Sequence, residues 1–267
     1  CGEAERVGTR KGGFYRCNAC KTDFTVRTAT IFERSHIPLH KWLYAMYLLV
    51  TSRKGISSLQ LSKQIGVTQK SAWFMLQRLR EACGNDPTVL RGFVEIDEMY
   101  VGGKEANKHK SKKLNAGRGA VGKTAVLGMR EKGGRTKAGV IHDTSANTLQ
   151  RAVHGHVEVG STLHTDEHGG YIGLNGLFYT HESVSHSRGE YVRDDVHTNS
   201  IESVWAVMKR GLHGVYHHAS PKHLDRYVSE FTFRLNDGDV ARHTLDRIAS
   251  LLFAAEGKRL TYKALIA

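Results

Sequence analysis

The stretch "LRGFVEIDEMYVGG" (residues 90–103) marks the point where the sequence changes from a helical pattern to a mixed one. It is rich in β-forming residues and ends in a pair of glycines, which predicts a strand followed by a turn. Residues 123–131 and 136–143 have the pattern of two further strands, 147–157 that of a helix, and 160–174 that of a strand and a turn. This order of strands and helices predicts an α/β sheet.

Acidic residues close two of the predicted strands. Asp97 and Asp166 each stand at a strand end and each precede a Glu. A carboxylate at the end of a buried strand costs free energy unless it is paired or binds a cation. Together with Glu202 they predict an oxygen site for Mg²⁺, and two such ions about 3.5–4 Å apart promote phosphoryl transfer.

Glu202 lies in "HTNSIESVWAVMKRG" (197–211), which admits two interpretations. Asn199 followed three residues later by Glu202 resembles a capping box at the start of a helix. Alternatively, helical spacing places Asn199, Glu202 and Lys209 on one face, where Glu202 reaches the metal and Lys209 and Arg210 hold a DNA phosphate. The stripe predicted to be buried consists of Ile201, Val204, Trp205 and Met208.

The charge of the chain predicts a polyanionic partner. Lys and Arg number 39 and Asp and Glu 26 among 267 residues, which gives a net charge of +13. Nucleic acid is the first candidate and a membrane surface the alternative. The most apolar stretch, 42–50, is much shorter than the ~20 residues that a membrane span needs, so we interpret it as a core helix. In the absence of a targeting segment we expect a cytoplasmic, DNA-associated protein without a membrane partner.

Three cysteines have the spacing of zinc ligands. Cys17 and Cys20 form a C-x2-C knuckle, and fifteen residues separate it from Cys1, as between the two knuckles of a zinc ribbon. One ligand is lacking, which we interpret as the chain beginning inside the motif. Cys83 is a poor substitute because it falls at the end of a predicted helix. The alternative is that the cysteines are unrelated and act as small apolar residues.

Residues 55–84 have the pattern of a helix-turn-helix, with a turn at Gly66 and Val67 and a helix cap at Thr68. In such a motif the start of the second helix meets base edges in the major groove. The residues expected at base edges are Gln69, Lys70 and Ser71, and those expected at phosphates are Arg78 and Arg80. The alternative is a helical hairpin without a role in DNA binding.

The segment 104–123 contains seven Lys or Arg residues and one acid. Such a run is often an ordinary solvated loop. Beside an acidic site it is better interpreted as a phosphate-binding loop that becomes ordered on DNA. The residues expected to bind phosphate there are Lys110, Lys112 and Lys113.

The chain resembles the transposases of bacterial insertion sequences, in the zinc-ribbon group numbered fifteen-ninety-five. The resemblance rests on "EIDEMYVGGK", "HTDEHGGY" and "HTNSIESVWAVMKRGLHGVYHHASPKHLDRYVSEFTFRLN". It implies a DDE catalytic core with Asp97, Asp166 and Glu202 as ligands of two Mg²⁺ or Mn²⁺ ions. Some members are described by an Asn in place of this Glu, which makes Asn199 the alternative ligand; we expect Glu202, because a carboxylate binds metal better. The group's basic residue, seven positions after the third acid, is Lys209 here.

The resemblance also implies partners. A transposase binds the terminal inverted repeats of its element and a target DNA. Because two DNA ends have to be joined, we expect a homodimer or a larger synaptic complex.

The order of three strands, a helix, a fourth strand and later helices is that of a ribonuclease H-like sheet. The segment "GNDPT" (84–88) breaks the preceding helical pattern and predicts a boundary. The predicted parts are a small zinc-ribbon remnant (1–34), an all-α helix-turn-helix domain (35–86), an α/β catalytic domain of ribonuclease H-like type (87–236) and a helical tail (237–267).

Two other functional classes share parts of this pattern. A transposase-derived DNA-binding regulator needs the amino-terminal units but not three metal-binding acids. A ribonuclease H-like nuclease needs the acids but no unit that reads DNA sequence. The combination of both features favours a transposase.

Overall fold

The computed structural model describes residues 1–84, 86–103, 105–114, 120–176, 178–184, 193 and 196–267. Within these residues the chain forms two β-sheets and eight α-helices. The first sheet is small and antiparallel, and its strands are β1 (Val7–Thr9), β2 (Tyr15–Cys17) and β3 (Asp23–Phe24).

A helical unit follows this sheet, and its helices are α1 (Leu39–Thr51), α2 (Ser58–Ile65) and α3 (Gln69–Cys83). The Ser57 hydroxyl caps α2, and the Thr68 hydroxyl caps α3 as predicted. Gly66 ends α2 in the left-handed conformation, with φ at 62°, which favours glycine at this turn. One face of the apolar stretch within α1 is buried in the core, as expected for a core helix, whereas Leu43, Tyr44 and Tyr47 are exposed.

Two helices of the carboxyl-terminal tail contact this unit: α7 (Thr244–Phe253) through its apolar core, and α8 (Tyr262–Ile266) through the ring of Tyr262 on Phe74. Leu251 of α7 packs in one apolar cluster with Trp42 of α1 and Leu76 of α3. The tail therefore returns to the helical unit. Of the helices that the structure describes, none combines the length and the apolar composition needed to cross a bilayer.

The packing of α3 contradicts the expectation that Arg78 and Arg80 contact phosphates. Both side chains are buried, with 6% and 1% of their surface exposed. The Arg78 guanidinium donates to the backbone carbonyls of Ile31 and Leu260, and Arg80 Nε donates to Glu230 at 2.6 Å. The prediction was wrong because segments distant in sequence cover α3 beyond its first turn.

The second sheet is mixed, with the strand order β6-β5-β4-β7-β8. Strand β5 is antiparallel to β4 and β6, whereas β7 is parallel to β4 and β8. Its strands are β4 (Phe93–Val101), β5 (Thr124–Glu131), β6 (Thr136–Ile141), β7 (Thr162–Thr165) and β8 (Thr180–Ser183). The predicted α/β class is confirmed, and the arrangement agrees with a ribonuclease H-like fold; β8 is a fifth strand, which was not among the four predicted.

Helices cover both faces of this sheet: α4 (Ala146–His156) on one, α5 (Asn199–Gly211) and α6 (Pro221–Leu235) on the other. Because side chains alternate along a strand, Val94 and Ile96 of β4 pack with α4, whereas Met99 packs with α5. The predicted buried stripe of α5 is confirmed for Ile201, Val204, Trp205 and Met208.

A buried ion network joins α3 to α6. We call it the Glu230 network; it consists of Arg80, Tyr216, Glu230 and Arg234. Glu230 accepts hydrogen bonds from Arg80 Nε at 2.6 Å, from the Tyr216 hydroxyl at 2.7 Å and from Arg234. Tyr216 ends a π-helical turn that continues directly from α5, so the network also contacts the segment after that helix.

Candidate metal centre

The structure brings Asp97 and Asp166 together. Asp97 lies in β4 and Asp166 follows the last residue of β7, the parallel neighbour of β4. The expectation that Asp97 stands at a strand end is wrong, because β4 continues to Val101. The parallel register, which pairs Glu95 with His164, places Asp97 beside the end of β7. One carboxylate oxygen each from Asp97, Glu98 and Asp166 lie within 4.8 Å of one another. We call these three residues the acidic cluster.

Glu98 is the member of this cluster that the sequence analysis did not propose as a ligand. Alternation along a strand places consecutive side chains on opposite faces, which argues against Asp97 and Glu98 sharing one site. The Tyr171 hydroxyl donates a hydrogen bond to Glu98, and Tyr171 itself is buried. This contact draws the Glu98 carboxylate to the sheet edge from the α4 side.

The acidic cluster is a region of uncompensated negative charge. Burial raises the pKa of Asp97 to about 6, and the charges of Asp166 and Glu202 add to this rise. Burial likewise raises the pKa of Glu98 to about 7, with the charges of Asp166 and Asp97 adding to it. A divalent cation would relieve both effects, and closely spaced carboxylate oxygens are the donors that Mg²⁺ and Mn²⁺ prefer. The residues present therefore fit such an ion.

These raised pKa values predict weaker metal binding at acidic pH. A metal ion must displace any proton that these carboxyl groups hold, and both hold protons below about pH 6–7. We expect Mn²⁺ affinity to fall about tenfold per pH unit for each protonated group below its pKa. Calorimetric titration with Mn²⁺ between about pH 8 and pH 5 measures this. An affinity unchanged across that range would contradict the prediction.

Glu202 lies in the first turn of α5, near the cluster but outside the mutually close group that the described residues form. Its carboxylate is exposed, accepts a hydrogen bond from the Thr198 hydroxyl at 3.1 Å, and contributes to the raised pKa of Asp97. Asn199 is the exposed first residue of α5 and is also outside that group.

The capping-box interpretation of Asn199 is wrong. The N-cap of α5 is Thr198, and its side chain makes no cap hydrogen bond to the backbone. Instead, Glu95 of β4 reaches across and accepts hydrogen bonds from the backbone N–H groups of Ser200 and Ile201, at 2.8 and 3.1 Å. No local pattern predicts this contact, because Glu95 precedes the helix by more than a hundred residues.

The basic residues predicted to bind DNA occupy two described surfaces. Lys209 and Arg210 are exposed in the last turn of α5. On α3, Gln69 and Lys70 are exposed and Ser71 is half-buried.

The side chains at the start of α3 already have partners within the chain. Gln69 Nε2 donates to the Ser58 hydroxyl at 2.8 Å, and the Lys70 ammonium lies 4.8 Å from the ring centroid of Tyr262. The Ser71 hydroxyl contacts that of Thr68 at 2.9 Å. These contacts hold the three residues at the accessible end of α3.

The predicted phosphate-binding loop is described only in part. Lys110 is exposed and Lys113 is half-buried. The side chain of Lys112 and residues 104 and 115–119 lie outside the described residues.

Three cysteines form a second candidate metal group. The sulfur atoms of Cys1, Cys17 and Cys20 lie within 4.8 Å of one another. A hydrogen bond from the Thr22 side chain lowers the pKa of the Cys20 thiol to about 7, which favours the thiolate that binds metal. Cys83 is buried at the end of α3 and outside this group, and burial raises the pKa of its thiol. Three sulfur donors fit Zn²⁺.

Comparison with known proteins gave matches to proteins of mobile genetic elements. Residues 89–236 match the family model of the ISXO2-like transposase domain. An uncharacterized protein in transposable element ISH50 of Halobacterium salinarum (strain ATCC 700922 / JCM 11081 / NRC-1) is 30% identical over 230 residues, which are 82% of this chain and 77% of that protein.

Solved structures gave more distant matches. A chain of the simian T-cell lymphotropic virus intasome in complex with PP2A regulatory subunit B56 gamma is 12% identical, with a TM-score of 0.30; the match covers 73% of this chain and 64% of that chain. A chain of the pre-cleavage Mos1 transpososome is 12% identical, with a TM-score of 0.27, over 84% of this chain and 82% of that chain.

Proposed function

Because the chain belongs to the ISXO2-like transposase family, we propose that it is a DDE transposase that binds insertion-sequence ends and catalyses metal-dependent DNA strand cleavage and strand transfer. The observation that carries this proposal is the convergence of the Asp97 and Asp166 carboxylates, one in the middle of β4 and the other directly after its parallel neighbour β7. Regulators that only bind DNA have no need of such a cluster. We infer that Asp97, Asp166 and Glu202 hold two Mg²⁺ or Mn²⁺ ions.

Each part of the proposed site has a chemical role. When bound, the ions activate the attacking oxygen and neutralise the leaving oxygen of the phosphodiester. Asp97 and Asp166 fix the ions to the rigid sheet, and Glu202 closes the site from α5. Lys209 and Arg210, at the far end of the same helix, hold a DNA phosphate, since their ammonium and guanidinium groups are exposed.

The remaining parts of the chain are proposed to bring DNA to this site. In the proposed division, residues 1–34 form a zinc ribbon that uses Cys1, Cys17 and Cys20. Residues 35–86 form a helix-turn-helix domain, 87–236 the catalytic domain and 237–267 a helical tail. Because two DNA ends must be joined to a target, we propose a homodimer or a larger synaptic complex.

A single assay distinguishes the candidate functions. The full chain is incubated with a DNA duplex that ends in the element's terminal repeat, a target plasmid and Mg²⁺, and cleaved and joined products are scored separately. A transposase gives both products. Cleavage without joining would indicate a nuclease, and binding without cleavage would indicate a regulator.

Sequence reading and phosphate binding should separate in DNA-binding measurements. Gln69→Ala is expected to cost about 1–3 kcal/mol on the element's own end and little on random DNA, because Gln69 stands where a recognition helix meets base edges. The Gln69 amide must first release the Ser58 hydroxyl. Equal losses on both DNAs would assign recognition to another part of the chain.

Lys209→Ala is the matched variant in that experiment. Each phosphate contact releases a counterion, so its loss should weaken binding to every sequence alike. The slope of log affinity against log salt should flatten by about one unit. The same outcome is expected for Lys110, Lys112 and Lys113. Fluorescence anisotropy at several salt concentrations measures both effects.

A further inference from the structure

Helix α5 is attached to β4 by a hydrogen-bonded contact before Glu202. The side chain of Glu95 is 2% exposed, and its Oε2 accepts from the N–H groups of Ser200 and Ile201. The first N–H groups of a helix lack partners within the helix and favour negative charge. His197 Nδ1 lies 3.3 Å from the other carboxylate oxygen. The buried carboxylate therefore fixes where the helix begins.

A second contact follows Glu202. Trp205 Nε1 donates to Asp97 Oδ2 at 2.9 Å. The opposite oxygen, Oδ1, accepts from the backbone N–H of Glu98 at 2.8 Å. Asp97 is thus held from two sides, and its orientation is set by the indole and by its own strand.

The indole itself has little freedom to move. Gly128 of β5 lies directly across from Asp97 in the sheet, and a Cβ atom at this position would lie 2.3 Å from the Trp205 ring. Trp205 is 3% exposed, and its ring packs against this glycine. A close approach that only glycine permits therefore places the indole N–H at the carboxylate.

The two contacts fix helix and strand relative to each other. Glu95 and Asp97 are two residues apart on the same face of β4, and their partners on α5 lie on either side of Glu202. A slide or rotation of α5 would break at least one contact. The distance between Glu202 and the acidic cluster is therefore set by groups that need not bind metal themselves.

We propose that Glu95 and Trp205 are positioning residues, which hold α5 in register with β4 so that Glu202 and Asp97 bind the same metal ions. This inference rests on the proposed function, because it assumes a metal at the acidic cluster. Partners that orient metal ligands typically contribute 10–100-fold to metal affinity.

The test is Mn²⁺ affinity of the full chain without DNA, measured by electron paramagnetic resonance titration. Trp205→Phe keeps an aromatic ring over Gly128 but removes the N–H donor, and we expect about 10–100-fold weaker Mn²⁺ binding. Glu95→Gln keeps one acceptor oxygen and should lose less affinity than Glu95→Ala. Excess Mn²⁺ should restore most of the strand-cleavage rate that the Trp205→Phe variant has lost. A variant that is only less stable would not be restored in this way.

Trp42→Phe is the matched control. Its indole is also buried and donates to the Ser35 hydroxyl at 3.2 Å, in the core of the helical unit rather than at the sheet. It should lose stability similar to Trp205→Phe and keep wild-type Mn²⁺ affinity. Mn²⁺ affinity of Trp205→Phe within twofold of the wild type would overturn the inference.

Other results assign failure to the correct proposal. If the wild type binds no Mn²⁺, or Asp97→Asn binds it equally well, the proposed metal site is wrong and the inference is overturned with it. If the wild type binds Mn²⁺ and Asp97→Asn does not, the proposed metal site stands. Trp205 and Glu95 variants that then bind Mn²⁺ as tightly as the wild type would overturn the positioning role. Should Trp205→Phe fail to fold, the Glu95 variants decide. Weaker Mn²⁺ binding by Glu95→Ala than by Glu95→Gln supports the inference, and wild-type Mn²⁺ affinity of both overturns it.

Discussion

Asp97→Asn is expected to lower the rates of strand cleavage and strand transfer by more than about a hundredfold while DNA binding persists. The expected loss exceeds the 10–100-fold typical of groups that only orient a ligand, because the amide lacks the negative charge that binds the ion. DNA binding is expected to persist because α3 and the basic end of α5 do not contain this carboxylate. Electrophoresis of cleaved and joined products and a binding assay on the same preparations measure both properties.

The same substitution should not unfold the protein. Burial raises the pKa of Asp97, so the charged form of this carboxyl group destabilises the folded state. Between the ordinary pKa of an aspartate and about pH 6, Asp97 is charged in the unfolded chain but still protonated in the folded protein. The free energy of unfolding of the metal-free protein therefore falls as the pH rises through this range. Above about pH 6, Asp97→Asn should therefore be at least as stable as the metal-free wild type. Lost activity with lost folding would leave the role of Asp97 in catalysis unsupported.

Substitutions at the other proposed ligands test which side chains bind the metal. Asp166→Asn and Glu202→Gln should reduce turnover as deeply as Asp97→Asn, and any of the three that stays within about tenfold of the wild type is not a ligand. Asn199→Ala is the control for the third position, and a loss as deep as that of Glu202→Gln would transfer the ligand role to Asn199. Glu98→Gln tests whether the additional member of the acidic cluster also binds metal.

Local patterns were sufficient for the elements that carry the proposed site. The alternation in β4 and the 3.6-residue spacing in α5 are properties of contiguous residues, so the strand and the buried stripe of the helix could be predicted. The proximity of Asp97 and Asp166 was predicted from two strand ends, but Asp97 lies in the middle of β4. The two residues meet because β4 and β7 are parallel neighbours in a register that places Asp97 beside the end of β7.

Contacts between distant segments could not be predicted in this way. Glu95 caps α5 across more than a hundred residues, and Arg78 is buried against the backbone of two distant non-helical segments, at Ile31 and at Leu260. Glu98 lies close to Asp97 although the two point to opposite faces of β4, and its carboxylate accepts a hydrogen bond from the distant Tyr171. In each case a polar group contacts a partner from a distant segment, and the pattern of its own segment does not identify that partner.

The second large effect concerns stability. Glu230→Gln is expected to lower the free energy of unfolding by about 3–5 kcal/mol, because removing one member of a buried ion pair leaves the opposite charge uncompensated. Arg80 and Glu230 have 1% and 0% of their side-chain surface exposed, so solvent cannot replace the lost partner. Arg234 would lose the same carboxylate. Urea denaturation followed by circular dichroism measures the change.

Arg242→Ala is the matched control, because its ion pair with Asp237 is about 40% exposed and should contribute no more than about 1 kcal/mol.

The pH dependence gives an independent check. Burial alone would raise the pKa of Glu230, but the charges of Arg80 and Arg234 lower it to about 2. The network therefore contributes fully above the ordinary pKa of a glutamate, and its contribution is lost as the pH falls toward about 2. Equal destabilisation by Glu230→Gln and Arg242→Ala would show that the Glu230 network does not hold α3 on α6, and the contact between these helices would then rest on apolar packing and on the ion pair between Arg226 and Glu81.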